Sequence, residues 1–89
     1  MNQKRIYLSL LFFLFVSYSQ AAIIYVDNDS QGNNTGHTWA DAYHDLSTAL
    51  TNANFGDVIR IDKGTYIAPN GGFVLKDGVK IYGGYNVRY

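Results

Sequence analysis

Beyond residue 55 the chain is cut by glycine at short intervals, and this constrains its fold more than any other feature. Gly56-Asp57 precedes Val58-Ile59-Arg60-Ile61, Lys63-Gly64 precedes Thr65-Tyr66-Ile67, and Gly71-Gly72 precedes Phe73-Val74-Leu75. Asp77-Gly78 then precedes Val79-Lys80-Ile81-Tyr82, and Gly83-Gly84 precedes Tyr85. Glycine is costly inside a helix and supplies left-handed backbone to turns, so this region has no room for a helix of ordinary length. The β-branched and aromatic runs predict four or five very short strands instead. Nine glycines against one proline, with no glutamate, suit a turn-rich β chain better than a helical bundle. The apolar run at Val58 returns at Val79, 21 residues on, the kind of recurrence that solenoids carry. Two-residue Asp-Gly turns are also the signature of hairpins, so antiparallel pairing is the alternative.

Residues 22–55 read differently. Ile23-Ile24-Tyr25-Val26 is a short strand by its β-branched and aromatic content. Asp27 to Gly36 is a loop rich in Asn, Asp, Ser and Gly. Thr38-Trp39-Ala40-Asp41 predicts a helix start, because Thr38 can accept from the amide three residues on and Asp41 can reach back, an acidic capping box. Trp39, Ala42, Tyr43, Leu46, Ala49, Leu50 and Ala53 then share one apolar helical face, with Asp41, His44, Asp45, Ser47 and Thr48 on the other. Asn52 to Gly56 supplies the stop.

The first 21 residues read as an address. Met1-Asn2-Gln3-Lys4-Arg5 is basic, Ile6 to Val16 is apolar, and Ser17-Tyr18-Ser19-Gln20-Ala21 ends in small residues, the pattern of a secretory signal peptide. Cleavage after Ala21 puts Ser19 and Ala21 at the two positions that must be small, with cleavage after Ser19 or Ala22 as alternatives. A membrane span needs roughly 20 predominantly apolar residues, and Ser17, Ser19 and Gln20 stop this run early. Removing 21 of the 89 residues leaves 68, with five cations against seven aspartates once Lys4 and Arg5 are gone. That balance lacks the clustered basic charge of a nucleic-acid binder. The absence of cysteine rules out disulfides, thiolate zinc sites and thiol nucleophiles.

The order of these pieces resembles the N-terminal end of secreted bacterial right-handed parallel β-helix proteins, both pectate-lyase-like solenoids and those with polymorphic-outer-membrane-type repeats. The matching segments are Ile24-Tyr25-Val26-Asp27, Gly36-His37-Thr38-Trp39-Ala40-Asp41-Ala42-Tyr43, Asp45-Leu46-Ser47-Thr48-Ala49-Leu50 and Gly56-Asp57-Val58-Ile59. Lys63-Gly64-Thr65-Tyr66 and Leu75 to Tyr85 complete a set covering nearly all of 24–85. The resemblance implies a mostly β fold: a capping strand, an amphipathic capping helix, then about one coil of short strands. With the signal peptide over 1–21 set aside, it implies a cap over 22–55 and the first coil over 56–89. The cap residues are Thr38, Trp39, Asp41, Leu46 and Leu50, and a polar-faced lid of this kind is what an open solenoid end requires. It carries no catalytic site, since the family's reactive groups lie on later coils.

The residues themselves hold little chemistry. Asp27-Asn28-Asp29-Ser30-Gln31-Gly32 begins like a calcium loop, but Gln31 replaces Asp or Asn and Thr38 stands where the bidentate Glu belongs. The expected reading is an Asx-rich turn, which leaves Asp27 and Asp29 as weak, millimolar calcium contacts. His37 and His44 lie seven apart without a third ligand, so a zinc site is not expected, His37 belonging to the loop and His44 to a solvated helix face. Asp41 and Asp45 are one helical turn apart, but on an exposed face they lack the desolvation that acid–base catalysis of glycoside hydrolysis needs. Tyr66, Tyr82, Tyr85 and Tyr89 with Phe73 make either a carbohydrate-stacking platform or sheet packing, and packing is the ordinary use of aromatics on short strands. Asn28-Asp29-Ser30 and Asn33-Asn34-Thr35 match the glycosylation sequon and read as turn composition.

The expected role is therefore a non-catalytic N-terminal segment of a secreted or cell-surface β-helix, structural or adhesive. One alternative is the start of a polysaccharide lyase or glycoside hydrolase. Another is a small secreted binding protein that oligomerises through its open end. The expected partners are downstream coils or another copy of the chain, and polysaccharide, with no nucleic acid and no membrane span after cleavage.

Overall fold

The computed structural model describes residues 21–88. The signal peptide expected over 1–21 therefore lies, but for Ala21, outside the described residues, as does Tyr89. The chain folds as β1 (Ile23–Val26), α1 (Leu46–Asn52), β2 (Val58–Asp62) and β3 (Lys80–Tyr85). The three strands form one sheet in chain order β1-β2-β3, and both pairs are parallel. The fold is mostly β and poor in helix. The Asp-Gly and Gly-Gly turns do not close hairpins, and Thr65–Ile67 and Phe73–Leu75, expected as strands, are irregular.

Register corrects the expected 21-residue recurrence. Val58 pairs with Lys80 and Ile59 with Ile81, an offset of 22. A parallel pair needs matching residues to point to the same face, and a shift of one would turn Ile81 away from the core. The turns stack with the same offset. The Gly56 amide donates to the Gly78 carbonyl at 2.9 Å, and the Lys80 amide donates to the Asp57 carbonyl at 3.1 Å. Gly56 (φ 93°) and Gly78 (φ 75°) are both left-handed. At Gly78 a Cβ would also lie 2.3 Å from the Phe55 ring, so no other residue fits that turn unshifted.

The core lies on one side of the sheet. Ile24, Val26, Ile59 and Ile61 face Ala49, Leu50 and Ala53, with Tyr43, Leu46, Tyr66, Phe73 and Val79 half-buried around them. Strand alternation sends Tyr25 and Arg60 to the opposite face.

The helix is shorter than its periodicity predicts. It occupies Leu46–Asn52, and Asp45 before it is extended (φ −112°, ψ 131°). The Thr38 cap bond does form, the Asp41 amide donating to Thr38 Oγ1 at 3.1 Å, but no helix follows from it. The backbone of 34–43 is taken up by the free edge of β1. The Tyr25 amide donates to the Gly36 carbonyl, the Tyr43 amide to the Tyr25 carbonyl and the Asp27 amide to the Tyr43 carbonyl, all within 2.9 Å. Val26 and Tyr43 form a parallel bridge. An exposed strand edge that gains three main-chain bonds outweighs the local preference for a helical turn. Gly36 (φ 78°) is obligatory there, since a Cβ would sit 2.4 Å from the Tyr43 ring. At the other end, Asn52 ends the helix inside the expected stop, with Ala53 extended as its C-cap. Lys76 Nζ reaches across to donate to the carbonyls of Thr51 (2.6 Å) and Ala53 (2.9 Å).

Candidate functional site

Three surfaces gather the polar and aromatic side chains. The first is the outward face of the sheet. Register aligns Tyr25, Arg60 and Tyr82 across the three strands. Trp39 lies over the Tyr25 ring at 4.8 Å and the Tyr85 ring at 5.4 Å, both tilted, and the Arg60 guanidinium carbon stands 5.9 Å from the Tyr85 centroid. These distances suit aromatic pairing and a cation–π contact. Trp39, expected beneath the helix with Leu46 and Leu50, is therefore half-buried on the other side of the sheet, where it ties the edge loop to β3. Of the expected cap residues, Leu50 is buried and Leu46 half-buried against the core, while Thr38 and Asp41 stabilise the loop. Asp41 Oδ1 accepts from the Asn33 amide, and the Asp41 carbonyl accepts from Thr35 and Gly36.

The expected aromatic platform does not assemble as one surface. Tyr82, half exposed, and Tyr85 belong to the outward face, whereas Phe73 and Tyr66 pack against the core from the other side. An exposed tyrosine beside a guanidinium is the kind of surface on which a sugar ring can stack and hydrogen-bond.

The second surface is a polar cleft of about 200 Å³ lined by Asn28, His44, Asp45, Leu46, Thr65, Tyr66 and Ile67. Asn28 Nδ2 donates to the Thr65 carbonyl at 2.8 Å, and the Tyr66 hydroxyl to the Asp62 carbonyl at 2.8 Å. Burial pushes the Tyr66 hydroxyl above its ordinary value of 10.0; the Asn28 backbone pulls it down, and the charges of Asp27, Asp62 and Asp29 push it further up. His44 is not on a solvated helix face. It precedes α1 half-buried, its amide donating to Asn34 Oδ1, and its Nε2 is buried without a hydrogen-bond partner. His37 stands exposed in the loop. Asp45 sits at the helix N-cap and Asp41 in the loop, so the two carboxylates do not share a helical face.

The third feature is a set of buried aspartates at strand ends. Asp27, fully buried after β1, accepts the Asp29 amide on Oδ1, an Asx turn. Asp62, at the end of β2, accepts the Val87 amide at 2.8 Å. Asp57, just before β2, accepts the Ala22 amide on Oδ1 at 3.0 Å and the Asn54 amide on Oδ2 at 2.9 Å. Only the Asp27 turn was legible from spacing; the partner amides of Asp62 and Asp57 include Val87 and Ala22, 25 and 35 residues away, which only the folded chain brings to them. Among the described residues no three of His, Cys, Asp and Glu come together as a metal-binding group, and Asp27 and Asp29 are placed by their turn. Among the same residues no helix is long and apolar enough to cross a membrane.

No family model, curated protein or solved structure matches the chain.

Proposed function

We propose that the chain is the exported N-terminal segment of a right-handed parallel β-helix, a structural and adhesion-type element whose own residues carry no catalysis. The observation that carries this reading is the stacking of turn and strand at an offset of 22 from Gly56 to Arg60, before the register shifts by one between Arg60 and Asp62. Gly56-Asp57-Val58-Ile59 lies beside Gly78-Val79-Lys80-Ile81 through parallel pairing and matched left-handed glycines, with no helix in the connection. Parallel crossovers in one sheet are right-handed in nearly every case. One end of the stack is closed by the 34–43 loop and α1, as a solenoid terminus needs, and the other leaves β3 at the edge with Ile81 and Tyr82 exposed. The exposed edge also favours a second reading, in which two copies of the chain close on each other through β3.

The coding sequence beyond Tyr89 and the sedimentation of the exported chain separate these readings. An open frame whose apolar pairs recur about every 22 residues, in phase with Ile59 and Ile81, supports the longer solenoid. A stop codon after Tyr89 with a folded dimer supports closure by a second copy. A stop codon with a folded monomer overturns both.

A further inference from the structure

The carboxylate of Asp57 is 6% exposed, and its two oxygens are met by two main-chain amides, those of Ala22 and Asn54. No cationic side chain pairs with it among the described residues. Buried carboxylates ordinarily have a cation or a full set of donors. One of the two donors is special: the Ala22 nitrogen is the first atom beyond the bond at which the leader is expected to be cut. The Ala22 carbonyl is fixed too, accepting the Val58 amide at 2.9 Å, so Ala22 is held to the start of β2 at both its polar atoms.

We infer that the mature chain begins at Ala22 and that its new α-ammonium is the ion-pair partner of Asp57, so that removal of the leader completes the closed end of the fold. This rests on the reading of residues 1–21 as a leader. Hydrolysis of the Ala21–Ala22 peptide bond by water, in the active site of a leader peptidase, breaks the C–N bond. The hydroxyl goes to the Ala21 carboxyl and the proton to the Ala22 nitrogen, which is charged at neutral pH. A neutral amide 3.0 Å from a buried carboxylate becomes an ammonium at the same place, so a hydrogen bond to one ion becomes an ion pair of opposite charges. The two alternative cleavage bonds give no such pairing. Cleavage after Ser19 leaves Gln20 and Ala21 ahead of this nitrogen, and cleavage after Ala22 removes both the donor to Asp57 and the acceptor of the Val58 amide. The nitrogen sits in a groove of about 180 Å³ that His37 and Tyr43 also line, and these two are the titratable side chains there besides Asp57.

The test expresses the full chain in a Sec-competent bacterium, sequences the N-terminus of the exported product, and labels its amines with acetic anhydride near pH 7. The labelling is done natively and in urea, with the exposed Lys63 and Lys80 as internal references. The expected product starts at Ala22, and its α-amine is acylated about tenfold more slowly in the native protein than in urea, the factor for one unit of pKa. In Asp57→Asn the native rate rises to the urea rate. An uncleaved chain overturns this inference and the leader reading together. A product cut at any other bond overturns the inference alone. Equal native and urea rates at Ala22 in the wild-type chain also overturn it, whether or not Asp57→Asn folds.

Discussion

Ile59 and Ile81 are register partners of the same residue type on the same face of one sheet, yet Ile59 is fully buried and Ile81 is 37% exposed. The difference is position in the stack. Ile59 has Ile24 on one side and Ile81 on the other, while Ile81 lies on β3, the edge of the sheet. The same contrast runs through each end. At β1 the edge is taken by the carbonyl of Gly36 and by Tyr43, and the face by Ala49, Leu50 and Ala53. Around β3, Val74 and Leu75 are about three-quarters exposed and Tyr82 is half exposed. Burial in a stacked parallel sheet is thus conferred by the neighbouring rung more than by the strand's own sequence, which is why solenoids need both several rungs and closed ends.

The largest test of this contrast is the pair Ile59→Ala and Ile81→Ala. Truncating Ile59 removes a fully packed side chain and leaves a cavity, for an expected loss of about 2–5 kcal/mol. Truncating Ile81 should cost about 1 kcal/mol or less, because part of that side chain is already in water. Urea unfolding of the chain measures both, and equal losses would mean that the β3 end is covered in solution. Trp39→Ala comes next. A tryptophan buried beneath a helix would cost more, but one spread over Tyr25 and Tyr85 on the outward face should cost about 1.5–3 kcal/mol. The loss should be accompanied by weaker near-ultraviolet circular dichroism, since that cluster joins the closed end to β3.

How far these elements were legible depends on the range of the interaction that forms them. The β-branched runs at Ile23–Val26 and at Val58–Ile61 are local signals, and both runs are strands in the fold. The helix face at Leu46, Leu50 and Ala53 was legible for the same reason. The helix start was not, because the Thr38 box is a local signal that forms its hydrogen bond and still loses to the pairing of Tyr43 with β1. Trp39 fits the helical spacing with Leu46 and Leu50, but its partners are Tyr25 on β1 and Tyr85 on β3, and no spacing within 38–53 contains them. The register was misjudged by one residue because Val58 and Val79 look alike, whereas the left-handed Gly56 and Gly78 set the stacking. Of the site features, the Asx turn at Asp27 was legible because its partner is two residues away; Asp57 and Ala22 are 35 apart and were not.

A smaller effect is expected where the two ends of the stack are tied together. Lys76 belongs to the connection before β3, and its ammonium caps the helix that covers β1 by donating to the carbonyls of Thr51 and Ala53. A cation on the free carbonyls of a helix C-terminus satisfies orphan acceptors and opposes the helix dipole. Lys76→Met keeps the stem and removes the charge. It should cost about 0.5–1 kcal/mol, with faster amide exchange in 51–53 and in 72–76 together. Faster exchange in only one of these segments would show that the connection before β3 and the helix open independently.

The smallest effect is a titration at Tyr66, which packs from the β2–β3 connection against the core that α1 covers. Burial, ahead of the repulsion from Asp27, Asp62 and Asp29, raises its hydroxyl above 10.0, so the folded chain keeps this proton to a higher pH than the unfolded chain does. Between the two values the native state binds more protons, and stability therefore falls as pH rises. The group's contribution is fully present below pH 10 and is lost as pH climbs through the raised folded value. Absorbance at the tyrosinate band should show one tyrosine ionising later in the folded chain than in urea, and Tyr66→Phe should remove that late component and the part of the alkaline stability loss that belongs to it. If Tyr66 ionised no later in the folded chain than in urea, the connection would be open to water in solution, and the closed half of the molecule would end at β2.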